Sequence, residues 1–448
     1  MAALAVLTTS ALSLLAPTRV LPGPTESPFI GSLDFLRELY LDGVPLPSII
    51  RKYRSSFGDA FTIKTGPVRQ VWICDEALVD EVYSMPEVSG RSQLPEGKAP
   101  FGSDFLFLVR DPDRAKPICR EQRQWLQARA SERQIASSVE EVADELFAAL
   151  DNAVEAGVTN GAGGALWPSD ELGATILGAL LNVFALEGSG NPEVLLSIQE
   201  RSDLLAALSG YRKRSGAPKS PFSTKLDYAE QVRGLLLTAL RRSSRSEDEV
   251  QRLLPLLVSA CVGGGEIFPL LIQWAVRRLA VEPSLQAELV EPSSSVSSSY
   301  SRKTARVVSA VLRQCPYSCA IGPPRKVLAD VAMADGRVLP AEAIVFAMHP
   351  GLARPSGEAL PPLAEASESS ELQQAALRLF GVGPRACTAA ETSLAVLCCT
   401  LEAILRRYEV RVPTGVSTER LLAYAPDGSL LVPRYEVPLL LTRRDECS

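Results

Sequence analysis

Histidine is nearly absent: the 448 residues include one, His349. An imidazole-rich zinc site or a Ser/His/Asp triad would have to be built around that single side chain, which sets aside most hydrolase and zinc chemistry. Aromatic residues are scarce too, at 6% against 46% hydrophobic overall. The apolar content is therefore mostly Leu, Ala and Val, which suits packed helices better than a β-sandwich. No excess of positive charge exists, since the formal net charge is −6, and this excludes nucleic acid as a main partner. The nine cysteines are scattered and odd in number, without the dense spacing of a secreted disulfide scaffold, so a reducing compartment is the simpler reading. Charge is missing altogether before Arg19, and the first acid is Glu26. That opening stretch is shorter than the roughly 20 residues that span a bilayer, and it lacks the basic start of a signal peptide. Residues 1–21 read as a hydrophobic leader or anchor, with a membrane anchor, a transit segment and a disordered start all open, and 22–448 as one body.

What is present is mainly helical periodicity. After the turn-prone Leu21-Pro-Gly-Pro24, a short helix is predicted over Ser48 to Phe57, then strands at Ala60 to Lys64 and Val68 to Cys74 across a turn at Gly66-Pro67. Asp75 is placed to cap a helix through Leu78, Val79, Val82 and Tyr83. Helices are then expected at 120–133, 138–156, 169–186, 193–208 and 228–242. The run from Ser246 to Ala280 is apolar enough to be one long helix crossing the core. A flexible linker at Ser293 to Ser301, a helix at Ala305 to Gln314 and strands at Lys326 to Ala332 and Ile344 to Met348 follow. The chain closes with a helix over Glu391 to Tyr408 and a terminal hairpin of strands at 430–432 and 437–441. The fold class is mainly α with small peripheral β-sheets.

The sharpest chemical feature is Phe380-Gly-Val-Gly-Pro-Arg-Ala-Cys387, a glycine-bearing loop ending in a cysteine just before an apolar helix. Glycines let main-chain donors approach the sulfur, and the positive end of the helix dipole favours a thiolate, which is a ligand for iron. A structural cysteine in a tight loop is the bland alternative, but the number of residues fixed at set spacing argues against coincidence. This loop resembles the haem-ligand loop of the cytochromes P-450, Phe-Gly-x-Gly-x-Arg-x-Cys, at every specified position, and further landmarks follow in that family's order from Pro22 onward.

The resemblance implies a cytochrome P-450 fold with a shortened distal roof and meander, haem b (iron protoporphyrin IX) as cofactor, and Cys387 as the metal ligand. Phe380, Gly381 and Arg385 of the loop, Trp125 and Arg129 one helical turn apart, and Arg325 after Pro323-Pro324 are the implied cofactor-binding residues. Gly263-Gly-Gly-Glu-Ile267 resembles the oxygen-activation segment, with Glu266 as its acid but Ile267 where a threonine usually stands, and these two are the candidate catalytic positions. Ser309-Ala-Val-Leu-Arg313 resembles the Glu-x-x-Arg helix with Ala310 in the place of glutamate, and the Pro-Glu-Arg-Phe-like segment whose arginine usually completes that ion pair is not found between His349 and Phe380. A second partner for Arg313, carboxylate or carbonyl, is therefore expected. Leu204, Leu205, Phe222 and Ile267 are candidate lining for a substrate pocket, and His349 is read as structural.

The implied activity is insertion of one oxygen atom from dioxygen into a lipophilic small molecule, with electrons from a reductase or ferredoxin. A basic docking face using Lys326, Arg406 and Arg407 is expected. The missing threonine keeps open an isomerase or dehydratase acting on a peroxide, and Ala310 keeps open a haem-binding relic. Membrane association through residues 1–21, at the endoplasmic reticulum, a plastid or another organelle, is the expected location.

Overall fold

The structure, a computed structural model, describes residues 19–27, 29–91, 109, 111–129, 131–159, 165, 168–185, 196–215, 222–243, 245–290, 300–352, 360–366, 372–427 and 430–444. Most of the leader and the 293–299 part of the serine-rich linker lie outside them. The chain divides into two compact units, one of residues 1–92, 320–353 and 382–385, the other of 93–319, 354–381 and 386–448.

The smaller unit is built on a four-stranded sheet whose order is Ala60–Thr65, Val68–Ile73, Ile344–Ala347, Arg325–Lys326. The expected hairpin is there, pairing Phe61 with Trp72, and Trp72 in turn lies beside Phe346 on the parallel neighbour. Those last two rings stack at 4.7 Å, a cross-strand aromatic pair that fixes the register. Helix Leu46–Phe57 sets its buried Tyr53 edge-on to Phe61. Asp75 caps Glu76–Ser84 by accepting from Leu78 N at 3.0 Å. The single strand expected over 326–332 is two short ones in different sheets. Arg325–Lys326 joins the sheet above, whereas Val331–Ala332 pairs with Arg337–Leu339, beside which Arg19–Val20 runs parallel. Between them Asp330 takes the amide of Ala341 and turns the chain.

The larger unit is helical. Its helices run Pro112–Arg129, Glu132–Glu141, Ala143–Thr159, Ser169–Ala185, Ile198–Ser215, Phe222–Arg242, Glu247–Gly264, Ile267–Ala280, Pro283–Val290, Arg302–Gln314 and Ala390–Arg407. Ser169–Ala185 is buried on every side from Leu172 to Val183. Arg201 reaches in beside it and donates from Nη2 to both carboxylate oxygens of Glu145, at 2.6 and 2.8 Å. A Cβ at Gly178 would fall 2.0 Å from the Arg201 guanidinium, so only glycine leaves room for it.

The long helix expected over 246–280 is two helices separated by a turn at Gly265-Glu266. Pro269 has no N–H to give to the carbonyl of Gly265, and its ring crowds that carbonyl, so the break falls one turn before the proline. The run is long and apolar enough to cross a membrane, yet most of its apolar window is buried inside the protein, as in a core helix. The expected terminal hairpin is also different. Leu430–Pro433 pairs with Tyr424–Asp427, while Leu440–Arg443 pairs back to Tyr408–Arg411, the strand that continues helix Ala390–Arg407.

Candidate functional site

Cys387 sits three residues before the first residue of helix Ala390–Arg407, whose N-cap is Ala389. The Ala389 amide donates to Cys387 Sγ at 3.4 Å, and the Cys387 amide donates to Phe380 O at 2.8 Å, closing the loop on itself. Cys387 is an exposed residue. Even so, surrounding protein desolvates it enough to raise its pKa above the ordinary value, against the pull of the Ala389 hydrogen bond and the Arg123 charge.

Helix Pro112–Arg129 packs against this loop. Gln122 is buried and its Oε1 accepts from the Thr388 hydroxyl at 3.1 Å. Cys119 and Arg123, on the same helix, are close enough to the thiol to affect its ionisation. Trp125, one turn further on, is buried with the Arg252 guanidinium 4.8 Å above its ring, tying the helix to Glu247–Gly264. Arg129 lies on the last turn, and its side chain is outside the described residues. On the opposite flank Tyr317 donates its hydroxyl to Leu379 O at 3.4 Å, one residue before Phe380. Burial and the neighbouring Cys387 both raise the Tyr317 pKa.

Phe380 is half-buried at the end of a short turn, and Gly381 takes φ +82° as the chain enters the loop. Glu266 and Ile267 are both half-buried at the break between the two central helices. The second of these helices, Ile267–Ala280, packs on Ala390–Arg407. Leu204 is fully buried, Leu205 half-buried, and the side chain of Phe222 is outside the described residues.

The other two arginines of interest belong to the smaller unit. Arg325, 2% exposed, donates to Tyr83 O and Val382 O, each at 2.6 Å, and lies 3.8 Å over the Tyr83 ring. Burial above all lowers its pKa to about 10, with Tyr83 opposing the shift and the neighbouring Arg385 adding to it. Arg385 is buried and donates from Nε to Ser89 O at 2.8 Å. Two guanidinium groups buried side by side on carbonyl acceptors form a donor set suited to a carboxylate-bearing ligand.

Of the bases named for a docking face, Arg406 is exposed, Arg407 half-buried and Lys326 buried. Lys326 is buried with Nζ 2.5 Å from Glu342. Arg406 pairs with Glu402 and Arg407 with Asp151. Exposed bases also follow one another on Pro112–Arg129, at Arg114, Lys116, Arg120 and Arg123. Ala310 is buried, and Arg313 has the carbonyl partner that was expected, donating to Ala375 O at 3.4 Å. His349 is fully buried and its Nδ1 accepts from the Gly351 amide.

Gln122, Thr388, Tyr317 and Arg252 were not singled out from the sequence. Gln122 carried the one usable signal, since it stands three residues before Trp125 and so shares a helix face with it.

No family model and no curated protein sequence matches the chain. Among solved structures the chain is similar to a zebrafish cytochrome P450 determined with progesterone, at a TM-score of 0.68 and 18% identity, covering 90% of this chain and 100% of that one. At that identity the likeness assigns the fold, which is that of a cytochrome P450, mainly helical with small sheets.

Proposed function

We propose that the chain is a haem-thiolate monooxygenase that inserts one oxygen atom into a lipophilic small molecule, with Cys387 as the axial ligand. One observation carries the reading: on a P450 fold, the exposed Cys387 ends the Phe380 to Cys387 loop with its sulfur accepting from the Ala389 amide. A haem bound there would supply redox chemistry at a thiolate-ligated iron. The residues around it have separate tasks. The Ala389 amide, the start of helix Ala390–Arg407 and the Arg123 charge favour the thiolate against the desolvation that opposes it. Gln122 and Thr388 fix the loop against helix Pro112–Arg129. From the resemblance alone, Arg325 and Arg385 are the arginines proposed for the carboxylates of the cofactor. The half-buried apolar side chains of Leu205 and Ile267 suit a lipophilic substrate, and the zebrafish structure was determined with progesterone.

Electrons would come from an acidic reductase or ferredoxin docking on Arg114, Lys116, Arg120 and Arg123, of which Arg123 also bears on the ionisation of the thiol. Membrane association through residues 1–21 belongs to the same proposal, because a lipophilic substrate partitions into the bilayer. Ile267 favours one second reading, an isomerase or dehydratase acting on a peroxide, which needs neither electrons nor proton delivery from a hydroxyl at that position.

The test is the ferrous carbon monoxide spectrum of the purified, haem-loaded protein. The red-shifted Soret band of thiolate ligation is expected in the wild type and should vanish in Cys387→Ala. An unchanged band in that variant would refute the ligand assignment.

A further inference from the structure

Near the start of the smaller unit several large apolar side chains stand in solvent. Phe29 is 90% exposed, Leu41 81% and Tyr40 70%, and Ile30 and Leu33 are exposed as well. Leu33 opens the short helix Leu33–Leu36, and Tyr40 and Leu41 end the π-helical turn Arg37–Leu41 that continues it. Phe35 between them is buried, so the segment has an anchored inner side and an outer side on which Leu33, Tyr40 and Leu41 stand with Asp34 and Arg37. Main-chain hydrogen bonds to the first hairpin draw the group together. Ser32 N donates to Lys64 O at 2.7 Å, and Gly66 N to Ile30 O at 2.9 Å. These set Phe29 and Ile30 beside the Gly66-Pro67 turn, where Pro67 and Val68 are exposed too. A concentration of exposed apolar side chains of this kind marks a surface that meets something other than water.

The chain that enters this region says what that is. Residues 1–18 have no charged side chain, and just after them Val20 is exposed. Two residues later Pro22 O accepts from Thr62 N at 2.8 Å. Thr62 is four residues before Gly66, roughly 13 Å of extended chain, so the apolar leader joins the body close to the exposed group. The bases around the group are paired with acids: Arg37 lies 3.4 Å from Asp42, Lys52 2.5 Å from Glu38 and Arg69 3.4 Å from Glu26. We propose that Phe29, Ile30, Leu33, Tyr40, Leu41 and Val68 form a bilayer-facing surface that enters the headgroup boundary of a zwitterionic lipid membrane. The proposal rests on the membrane reading of residues 1–21 above and adds to it a second element, in the body. Its apolar side chains supply affinity by leaving water, and the Tyr40 ring with its hydroxyl suits the headgroup level. Because the neighbouring bases are paired, the surface needs no anionic lipid.

Flotation of the full-length chain with phosphatidylcholine vesicles tests the surface, beside fluorescence quenching. Phe29→Trp places a fluorophore on it, and lipids brominated on their acyl chains should quench that fluorophore above the wild-type background. Phe29→Ser/Leu41→Ser alters two exposed positions and leaves the core intact. It should weaken vesicle partition by about tenfold or more. Partition of the wild type should change little between low and high salt, and a steep loss at high salt would overturn the proposal in favour of electrostatic adsorption. Leu14→Asp/Leu15→Asp, in the leader, separates the two membrane readings. If it abolishes flotation while Phe29→Ser/Leu41→Ser floats like the wild type and Phe29→Trp is not quenched, the leader stands and the surface falls. If it leaves flotation and quenching intact, the surface stands and the leader reading falls. A dimer that forms without flotation and that Phe29→Ser/Leu41→Ser dissociates would replace the bilayer with a second copy of the chain. Emission of Phe29→Trp already blue-shifted without vesicles, and returned to the red by Leu14→Asp/Leu15→Asp, would overturn the proposal by showing that the leader itself covers the surface.

Discussion

The Thr388 hydroxyl donates to Gln122 Oε1 at 3.1 Å, joining the residue next to the thiol to a helix 266 positions earlier in the chain. Gln122 is 5% exposed, and its Nε2 has no hydrogen-bond partner among the described residues. Thr388→Val would leave the carbonyl end of that amide without this donor as well, at a cost of about 1–3 kcal/mol. The double variant Gln122→Leu/Thr388→Val removes both polar ends and should recover most of the loss. Urea denaturation of the two singles and the double forms a cycle, and simple additivity would show that the pair does not interact.

Gly383 takes φ +71°, and a Cβ there would lie 2.2 Å from Tyr83 O. Gly383→Ala therefore meets both backbone strain and a main-chain clash, and is expected to cost about 1–3 kcal/mol or more. Because Val382 O is an acceptor for Arg325, displacement at 383 should also loosen that buried arginine. The expected outcome is a lower melting temperature together with weaker haem retention on gel filtration. Wild-type behaviour in both would show that the loop relaxes freely.

The Cys387 loop, the Asp75 cap and the first hairpin were legible because local chemistry decides each of them. A glycine pattern, a capping carboxylate and a two-strand alternation need few distant partners. The break at Gly265-Glu266 was hidden inside an apolar run, although Pro269 marked its place. Leu440–Arg443 looked like half of a hairpin, because sequence spacing cannot show that its better partner is Tyr408–Arg411, some thirty residues back. Lys326 and Arg407 read as surface charge for a similar reason. Their carboxylate partners, Glu342 and Asp151, are distant in sequence and met only through the fold.

Asp151 gathers Arg443, Tyr408 and Arg407 around one carboxylate. Burial would raise its pKa, but those three hydrogen bonds outweigh burial and hold it below the ordinary carboxylate value. The folded pKa is thus the lower one. Its contribution to stability is fully present above about pH 4 and is lost as pH falls through the depressed folded value. Asp151→Asn should cost about 1–3 kcal/mol at neutral pH. It should also flatten the fall of melting temperature on the acid side. A variant as acid-sensitive as the wild type would remove Asp151 from the account.

Ile267 opens the second central helix directly after Glu266 and the break, half-buried where the resembled family carries a hydroxyl. Its side chain can neither donate nor accept a hydrogen bond. Reduction of dioxygen to an inserted oxygen atom and water consumes protons, so an oxygenase built this way must rely on Glu266 or on main chain loosened at Gly265 to organise their delivery. Such delivery is expected to be inefficient, with much of the reducing power released as hydrogen peroxide. Ile267→Thr restores a donor and an acceptor at the right place and should raise product formed per NADPH consumed by about two- to tenfold. In an enzyme that rearranges a peroxide the same change should bring no gain, since no electrons or delivered protons enter that reaction. Product per NADPH, measured beside conversion of a fatty-acid hydroperoxide without NADPH, separates the two. Rapid electron-free conversion with no oxygenated product would reverse the proposed activity while leaving Cys387 as the ligand. Inactivity in both assays would point instead to a haem-binding relic.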